Sequence, residues 1–239
     1  MCIEAVYEST KSSQAAKYGG CFTGEDTVTT PNGVKKSLSE LQIGEKILSF
    51  DTSSKKLVFS EVILFLDYDP LQKRKFLTIF LASGRTFTVT SNHLLLVGNL
   101  KYTRTVYAEK VKIGDSLLVS KSNGTIFEDN VLEIKTVMKT GVYAPLTQVG
   151  TIVVNDMIAS CYATIDSQYL AHWAFLPLRL VWNIKQNLYS LWYPVKKPSV
   201  IWSRVSPLVT LNKPSIGVHW YAKILYTTAS YFLPSHLHK

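Results

Sequence analysis

Two stretches of this chain repeat one local pattern, and the repeat limits what the sequence between them can become. SELQIGEKILSF at 39–50 parallels EKVKIGDSLLVS at 109–120, with Ile43, Gly44 and Glu45 set against Ile113, Gly114 and Asp115. In each copy a glycine precedes an acid and an apolar run. A turn follows (TSSKK, KSNG), and then a second apolar run ending near Ile63 or Ile134. Between residues 21 and 165 the other apolar runs are short and rich in Val, Ile, Thr, Phe and Leu. Gly, Asn, Asp and Ser turn signals separate them, and no long helical period interrupts. This pattern predicts an all-β domain of two related halves; chance recurrence of a common turn followed by a strand is the competing reading.

Composition changes near residue 166. After Asp166 there is no further acid, yet the segment holds Arg179, Lys185, Lys196, Lys197, Arg204, Lys213, Lys223 and Lys239 with all five tryptophans, Trp173, Trp182, Trp192, Trp202 and Trp220. A chain of 239 residues suits one large domain with such an appendage. The net charge of +9 permits contact with an anionic membrane or nucleic acid. Tryptophans beside cations, with no apolar run of membrane-spanning length, fit a segment lying in a bilayer interface. A basic tail packed on the first domain is the alternative. No nucleic-acid-binding signature is present, so no nucleic acid partner is expected.

The β block contains two cysteines, Cys21 and Cys161, and one histidine, His93. A thiolate attacks carbonyls well, and an imidazole can move the proton to a departing amine. A buried structural cysteine and a turn histidine are the plainer reading. The position of Cys21 favours chemistry: in KYGGCFTG it follows two glycines and opens the β domain. Its thiol is placed to attack the carbonyl of Gly20, which no side chain crowds, and intramolecular placement supplies effective concentration. The product is a thioester joining Gly20 to the Cys21 side chain. Thr90 and His93, three residues apart in TVTSNH, are suited to stabilising the oxyanion and protonating the new amine. Paired Cys or His spacing of the zinc type is absent, so no metal site is expected, and nothing points to a cofactor.

GGCFTG, TVTSNH, FLDYD, APLTQVGTIVVND, ASCYATI, LAHWAFLPLRL and GVHWYAKILY occur in this order, over essentially residues 10 to 235. Together they resemble the C-terminal autoprocessing region of Hedgehog precursors, in a form similar to arthropod examples. The resemblance implies a pseudo-twofold Hint domain, the fold shared with inteins, over 21–165. Before it would lie the end of an upstream signalling domain with its linker, 1–20, and after it a sterol-recognition region, 166–239, partly helical. It implies self-cleavage at Gly20-Cys21 and transfer of the upstream part to the 3-hydroxyl of cholesterol, a co-substrate. The family's nucleophile falls on Cys21, its Thr-x-x-His pair on Thr90 and His93, and its sterol-activating carboxylate on Asp67.

Read from the residues alone, Asp67 follows an apolar run at a strand end, where a turn residue or salt-bridge partner would also sit; Asp69 competes with it. Cys161 is read two ways, as a small buried hydrophobe or as a redox partner able to silence Cys21 by a disulfide. Cys2 falls in the expected upstream segment. The resemblance implies a secretory-pathway setting in the endoplasmic reticulum, a membrane surface engaged through 166–239, and a covalently attached signalling domain, although MCIEAVYEST does not read as a signal peptide. An intein would end its block in His-Asn, and no such pair occurs. That disfavours splicing. The rival functions are a trans-acting cysteine peptidase and a non-catalytic sterol- or membrane-binding module.

Overall fold

The computed structural model describes residues 21–121, 123–163, 165–192 and 214–232. Among them are twelve strands: β1 (Thr27–Thr29), β2 (Lys35–Ser37), β3 (Lys46–Asp51), β4 (Lys56–Leu81), β5 (Thr86–Val89), β6 (His93–Gly98), β7 (Thr103–Tyr107), β8 (Ser116–Ser120), β9 (Ile126–Thr147), β10 (Thr151–Val154), β11 (Met157–Ala163) and β12 (Gly217–Val218). Helices α1 (Gln168–Ala174) and α2 (Leu176–Trp192) follow β11, and α3 (Trp220–Phe232) follows β12.

The duplicated pattern is a duplicated structure. Gly44 has φ +94° and Gly114 φ +91°, backbone conformations that exclude most side chains and explain the glycine in each copy. The amide of Gly44 donates to the Val62 carbonyl at 2.7 Å, and that of Gly114 to the Val131 carbonyl at 2.8 Å. In return the Val62 and Val131 amides donate to the carbonyls of Glu45 and Asp115, each at 2.9 Å. The acid that follows each glycine accepts from the backbone N–H three residues before it, Gln42 for Glu45 and Lys112 for Asp115, both at 2.8 Å. β3 then pairs with β4 as β8 pairs with β9.

The long strands β4 and β9, of 26 and 22 residues, join the halves by running antiparallel through most of their length. Here the structure corrects one expectation. Asp67 is not at a strand end: DYDP lies inside β4, and the two apolar runs on either side belong to one strand. Proline cannot donate to the ladder, so a strand carries it only where pairing is interrupted. The register does shift between Asp69 and Lys73, around Pro70.

The core is filled by Phe22, Phe65, Ile79, Phe87, Leu146 and Tyr162, all buried. Helices begin five residues after the last residue of β11. The Ser167 side chain accepts from the Leu170 amide and caps α1, and Pro177 sits in the first turn of α2, where no backbone donor is required. Ala171 and Phe175 are buried, and Leu178, Trp182, Tyr221, Ala222 and Leu225 pack against the same core. The Trp182 indole donates to Glu61 at 3.0 Å. The packed-tail reading therefore holds for one face of the helices. Their other face exposes Trp173, Leu180, Val181, Ile184, Trp220 and Ile224. Trp202, Lys196, Lys197, Arg204, Lys213, Lys239 and the side chain of Trp192 lie outside the description, as do Cys2 and Gly20. No helix among the described residues is long and apolar enough to cross a membrane.

Candidate active site

Cys21 is held from both sides of its own backbone. Phe22 exchanges two hydrogen bonds with Tyr143 of β9, its amide donating at 2.9 Å and its carbonyl accepting at 3.0 Å. Its buried ring lies 4.4 Å from that of His93 and 5.9 Å from that of Phe87. Thr90, just beyond β5, fastens the other side. The Thr90 amide donates to the Cys21 carbonyl at 3.0 Å, and the Cys21 amide donates to Thr90 Oγ1 at 2.9 Å. That amide nitrogen belongs to the peptide bond with Gly20.

His93 shares the turn, its amide donating to the Thr90 carbonyl at 3.1 Å. Its ring is buried, with Nε2 2.7 Å from the Ser160 carbonyl oxygen. A carbonyl can only accept, so Nε2 carries a proton. In the neutral ring Nδ1 is then the basic nitrogen, and in the imidazolium it is the proton to be given away.

The sulfur faces a carboxylate and a guanidinium. Cys21 Sγ donates to Asp67 Oδ2 at 3.5 Å, Arg74 Nη1 donates to the same sulfur at 3.3 Å, and Arg74 Nη2 donates to Asp67 Oδ2 at 3.3 Å. Gln72 Oε1 accepts a further bond from Arg74 Nη2 at 3.0 Å. Asp67 is 2% exposed. Burial pushes the Cys21 thiol well above its ordinary range; the Asp67 charge adds to this and the Arg74 charge opposes it. Burial also raises the Asp67 carboxyl, again opposed by Arg74. The resting site thus favours a thiol whose proton has an acceptor at hand. Asp69, the competing acid, is engaged elsewhere: its Oδ1 accepts from the amides of Leu71 and Gln72 at 3.0 and 3.1 Å.

Cys161 and Cys21 are both buried, and no disulfide joins them in this structure. The Cys161 amide donates to the Gly150 carbonyl at 2.9 Å, its sulfur lies 3.7 Å from Thr147 Oγ1, and burial pushes it up to about 12. It lines an apolar cavity together with Leu66, Phe175, Val218, Ala222 and Leu225, where Asp67 is the one charged side chain among the described lining residues. The C-terminal segment reaches the backbone of that residue directly. Val218 of β12 pairs with Asp67, and the His219 amide donates to the Leu66 carbonyl at 2.9 Å.

Cys21, Thr90, His93 and Asp67 are therefore gathered at one place, and Cys161 lines the adjoining cavity. Arg74 was not among the residues singled out by sequence. Asp67 and Arg74 are seven apart on one strand, an odd spacing that regular alternation sends to opposite faces. The register shift near Pro70 breaks that alternation.

The model of the Hint module matches residues 8–234. Protein hedgehog of Drosophila ananassae is 39% identical over 237 residues, covering 96% of this chain and 48% of that protein. Protein hedgehog of Drosophila melanogaster is 38% identical over 235 residues, with the same coverage. The chain spans about half the length of these curated relatives. Among solved structures, a DnaB intein from Synechocystis superposes with TM-score 0.52 at 18% identity, covering 61% of this chain and 99% of the intein. A variant of the Ssp DnaB mini-intein superposes with TM-score 0.51 at 18% identity, covering 62% and 97%. At that identity the two inteins speak to the fold alone.

Proposed function

The chain belongs to the Hint family, and on that premise we propose that it cuts itself at Gly20-Cys21 in the Hedgehog manner and passes the upstream segment to the hydroxyl of a sterol. One observation carries this reading: the Cys21 sulfur, the Thr90-His93 turn and Asp67 converge on the residue that opens the β domain, and the same Asp67 is the charged group of an apolar cavity. The full burial of Cys21 suits attack on its own chain better than attack on another.

In the first step the Cys21 thiol gives its proton to Asp67 and the sulfur bonds to the Gly20 carbonyl carbon. The Thr90 hydroxyl, 2.9 Å from the Cys21 nitrogen, helps hold that amide as the tetrahedral oxyanion forms. The carbon–nitrogen bond breaks as protonated His93 gives its Nδ1 proton to the Cys21 nitrogen. Exchange with solvent then discharges Asp67 and recharges His93, so the net change is one amide and one thiol traded for a thioester and an amine. In the second step the sterol hydroxyl gives its proton to Asp67, its oxygen bonds to the Gly20 carbonyl carbon, and the Cys21 sulfur leaves as thiolate. A sterol alcohol is a poor nucleophile until a base takes its proton, which assigns that duty to the carboxylate lining the cavity.

The sterol is cholesterol on this reading. The exposed apolar and cationic face of α2 and α3 would rest on a membrane of the secretory pathway, and a signalling domain attached upstream would be the cargo. The full chain incubated with dithiothreitol should separate into residues 1–20 and 21–239, as read by intact mass. With cholesterol it should yield a 1–20 fragment heavier by one sterol less water. Cleavage at any other bond overturns the assignment of Cys21.

A further inference from the structure

Resting on that reading, we propose that Arg74 is a further catalytic residue: a fixed cation that steadies the Cys21 sulfur whenever it is anionic and keeps Asp67 available as a carboxylate. The guanidinium is a planar fork, and here its two ends serve two reacting groups. Nη1 donates to the sulfur at 3.3 Å, while Nη2 donates to Asp67 Oδ2 at 3.3 Å. Gln72 Oε1, 3.0 Å from Nη2, fixes the plane of the fork.

The contribution arises at two moments. As the Cys21 proton moves to Asp67, charge grows on the sulfur, and a hydrogen bond from a cation is worth most when its acceptor is charged and buried. When the sterol later displaces the thioester, the carbon–sulfur bond breaks and the same donor receives the departing thiolate. Arg74 exchanges no proton in either step. Between the steps it opposes the effect of burial on Asp67, so that the carboxyl is ionised when the sterol arrives. Among the described residues, the other groups facing Asp67 do not supply a cation in this way. Cys21 is the neutral thiol, and Asp69 of β4 adds negative charge. β9 presents Val142 and Ala144 on this side, and β11 presents Cys161 and Tyr162, both pushed upward by burial and neutral. From the C-terminal segment, Tyr226 lines the cavity and His219, half buried, is held toward its neutral form by burial.

Removing the cation leaves the Cys21 hydrogen bond alone to oppose burial, so Asp67 holds its proton to higher pH and the sterol reaction loses its base there. Sterol-driven cleavage of the full chain by Arg74→Met should therefore fall about ten- to a hundredfold at neutral pH, the range expected when a hydrogen bond to a charged group is lost. The acid limb of its pH–rate profile should move to higher pH. Arg74→Lys keeps the charge without the fork, and should return the acid limb towards its wild-type position while recovering only part of the rate. Carboxyl NMR titration in a Cys21→Ala background gives a reading free of turnover: Asp67 should titrate at higher pH when Arg74→Met is added. Arg74→Gln carries both measurements should the methionine variant not fold. An unmoved acid limb with an unmoved Asp67 titration overturns the inference while self-cleavage stands. A wild-type chain that does not cleave overturns the proposed function, and this inference with it.

Discussion

Cleavage by a thiol and cleavage by a sterol should part company in Asp67→Asn: the sterol reaction falls by about a hundredfold or more, the scale of a lost general base, while dithiothreitol still cuts the chain within about tenfold of the wild-type rate. The carboxylate has two opposed effects on Cys21. Its oxygen, 3.5 Å from the sulfur, can take the thiol proton, yet its negative charge also resists formation of the thiolate. Asparagine removes both effects and leaves Arg74 beside the sulfur. The sterol hydroxyl has no such compensation, because its proton must go to a base and Asp67 is the one charged lining group of the cavity among the described residues. His93→Ala should behave differently and lose both reactions by about a hundredfold or more, since each depends on the thioester and the Cys21 nitrogen leaves only when protonated. Cys21→Ala should lose both outright. Intact-mass time courses with each nucleophile, with folding checked by circular dichroism, decide the matter. Equal loss of the two reactions in Asp67→Asn would mean that taking the Cys21 proton is the one duty the carboxylate cannot be spared from, and would remove the case for a separate sterol-activating role.

The residues that sequence reasoning found share one property: their partners are near in sequence or their backbone demands are specific. Gly44 and Gly114 were legible because left-handed backbone selects glycine, and the acid after each closes its own turn. Thr90 and His93 lie on one turn, so their spacing carried the information. Asp67 was legible as a candidate but its place was misread: Asp-Tyr-Asp-Pro has the composition of a turn, and pairing with β9 and β12, both distant in sequence, keeps it extended. Arg74 was invisible for the same reason. Its meeting with Asp67 and Cys21 depends on a register shift that belongs to the pairing of two strands and not to either sequence. The two faces of α2 are a further case. Counting tryptophans and cations offered a membrane surface or a packed tail as alternatives, whereas the helix assigns Leu178 and Trp182 to packing and leaves its other side in water.

That outward side should decide whether the protein can draw a sterol from a membrane. Leu180, Ile184 and Leu188 form a stripe along α2 at i, i+4 and i+8, exposed by 50%, 58% and 53%. Lys185 lies beside it, 5.7 Å above the Trp182 ring, and α3 adds exposed Trp220 and Ile224 flanking Lys223. Apolar side chains left in water next to cations are stabilised at an anionic bilayer interface, where the apolar groups leave water and the cations remain at the headgroups. Placing glutamate at Leu180 and Ile184 together keeps good helix formers at exposed positions but removes the apolar contact and cancels the local positive charge of Arg179 and Lys185. Full insertion of one such side chain is worth roughly 1.5 to 3 kcal/mol, and each 1.4 kcal/mol is about tenfold in binding. Partial insertion of two should therefore make co-sedimentation with anionic vesicles drop by about tenfold or more. Sterol transfer from those vesicles should drop with it, while dithiothreitol cleavage holds within about twofold because the helix face touches none of the groups around Cys21. Deleting 167–239 would be a blunter test, since it also strips Ala171, Phe175 and Trp182 from the core and Val218 from the backbone beside Asp67. A double variant that sediments with vesicles and takes up cholesterol from them at the wild-type rate would end the membrane role of this face, leaving the helices as a cover for the β domain and a wall of the Asp67 cavity.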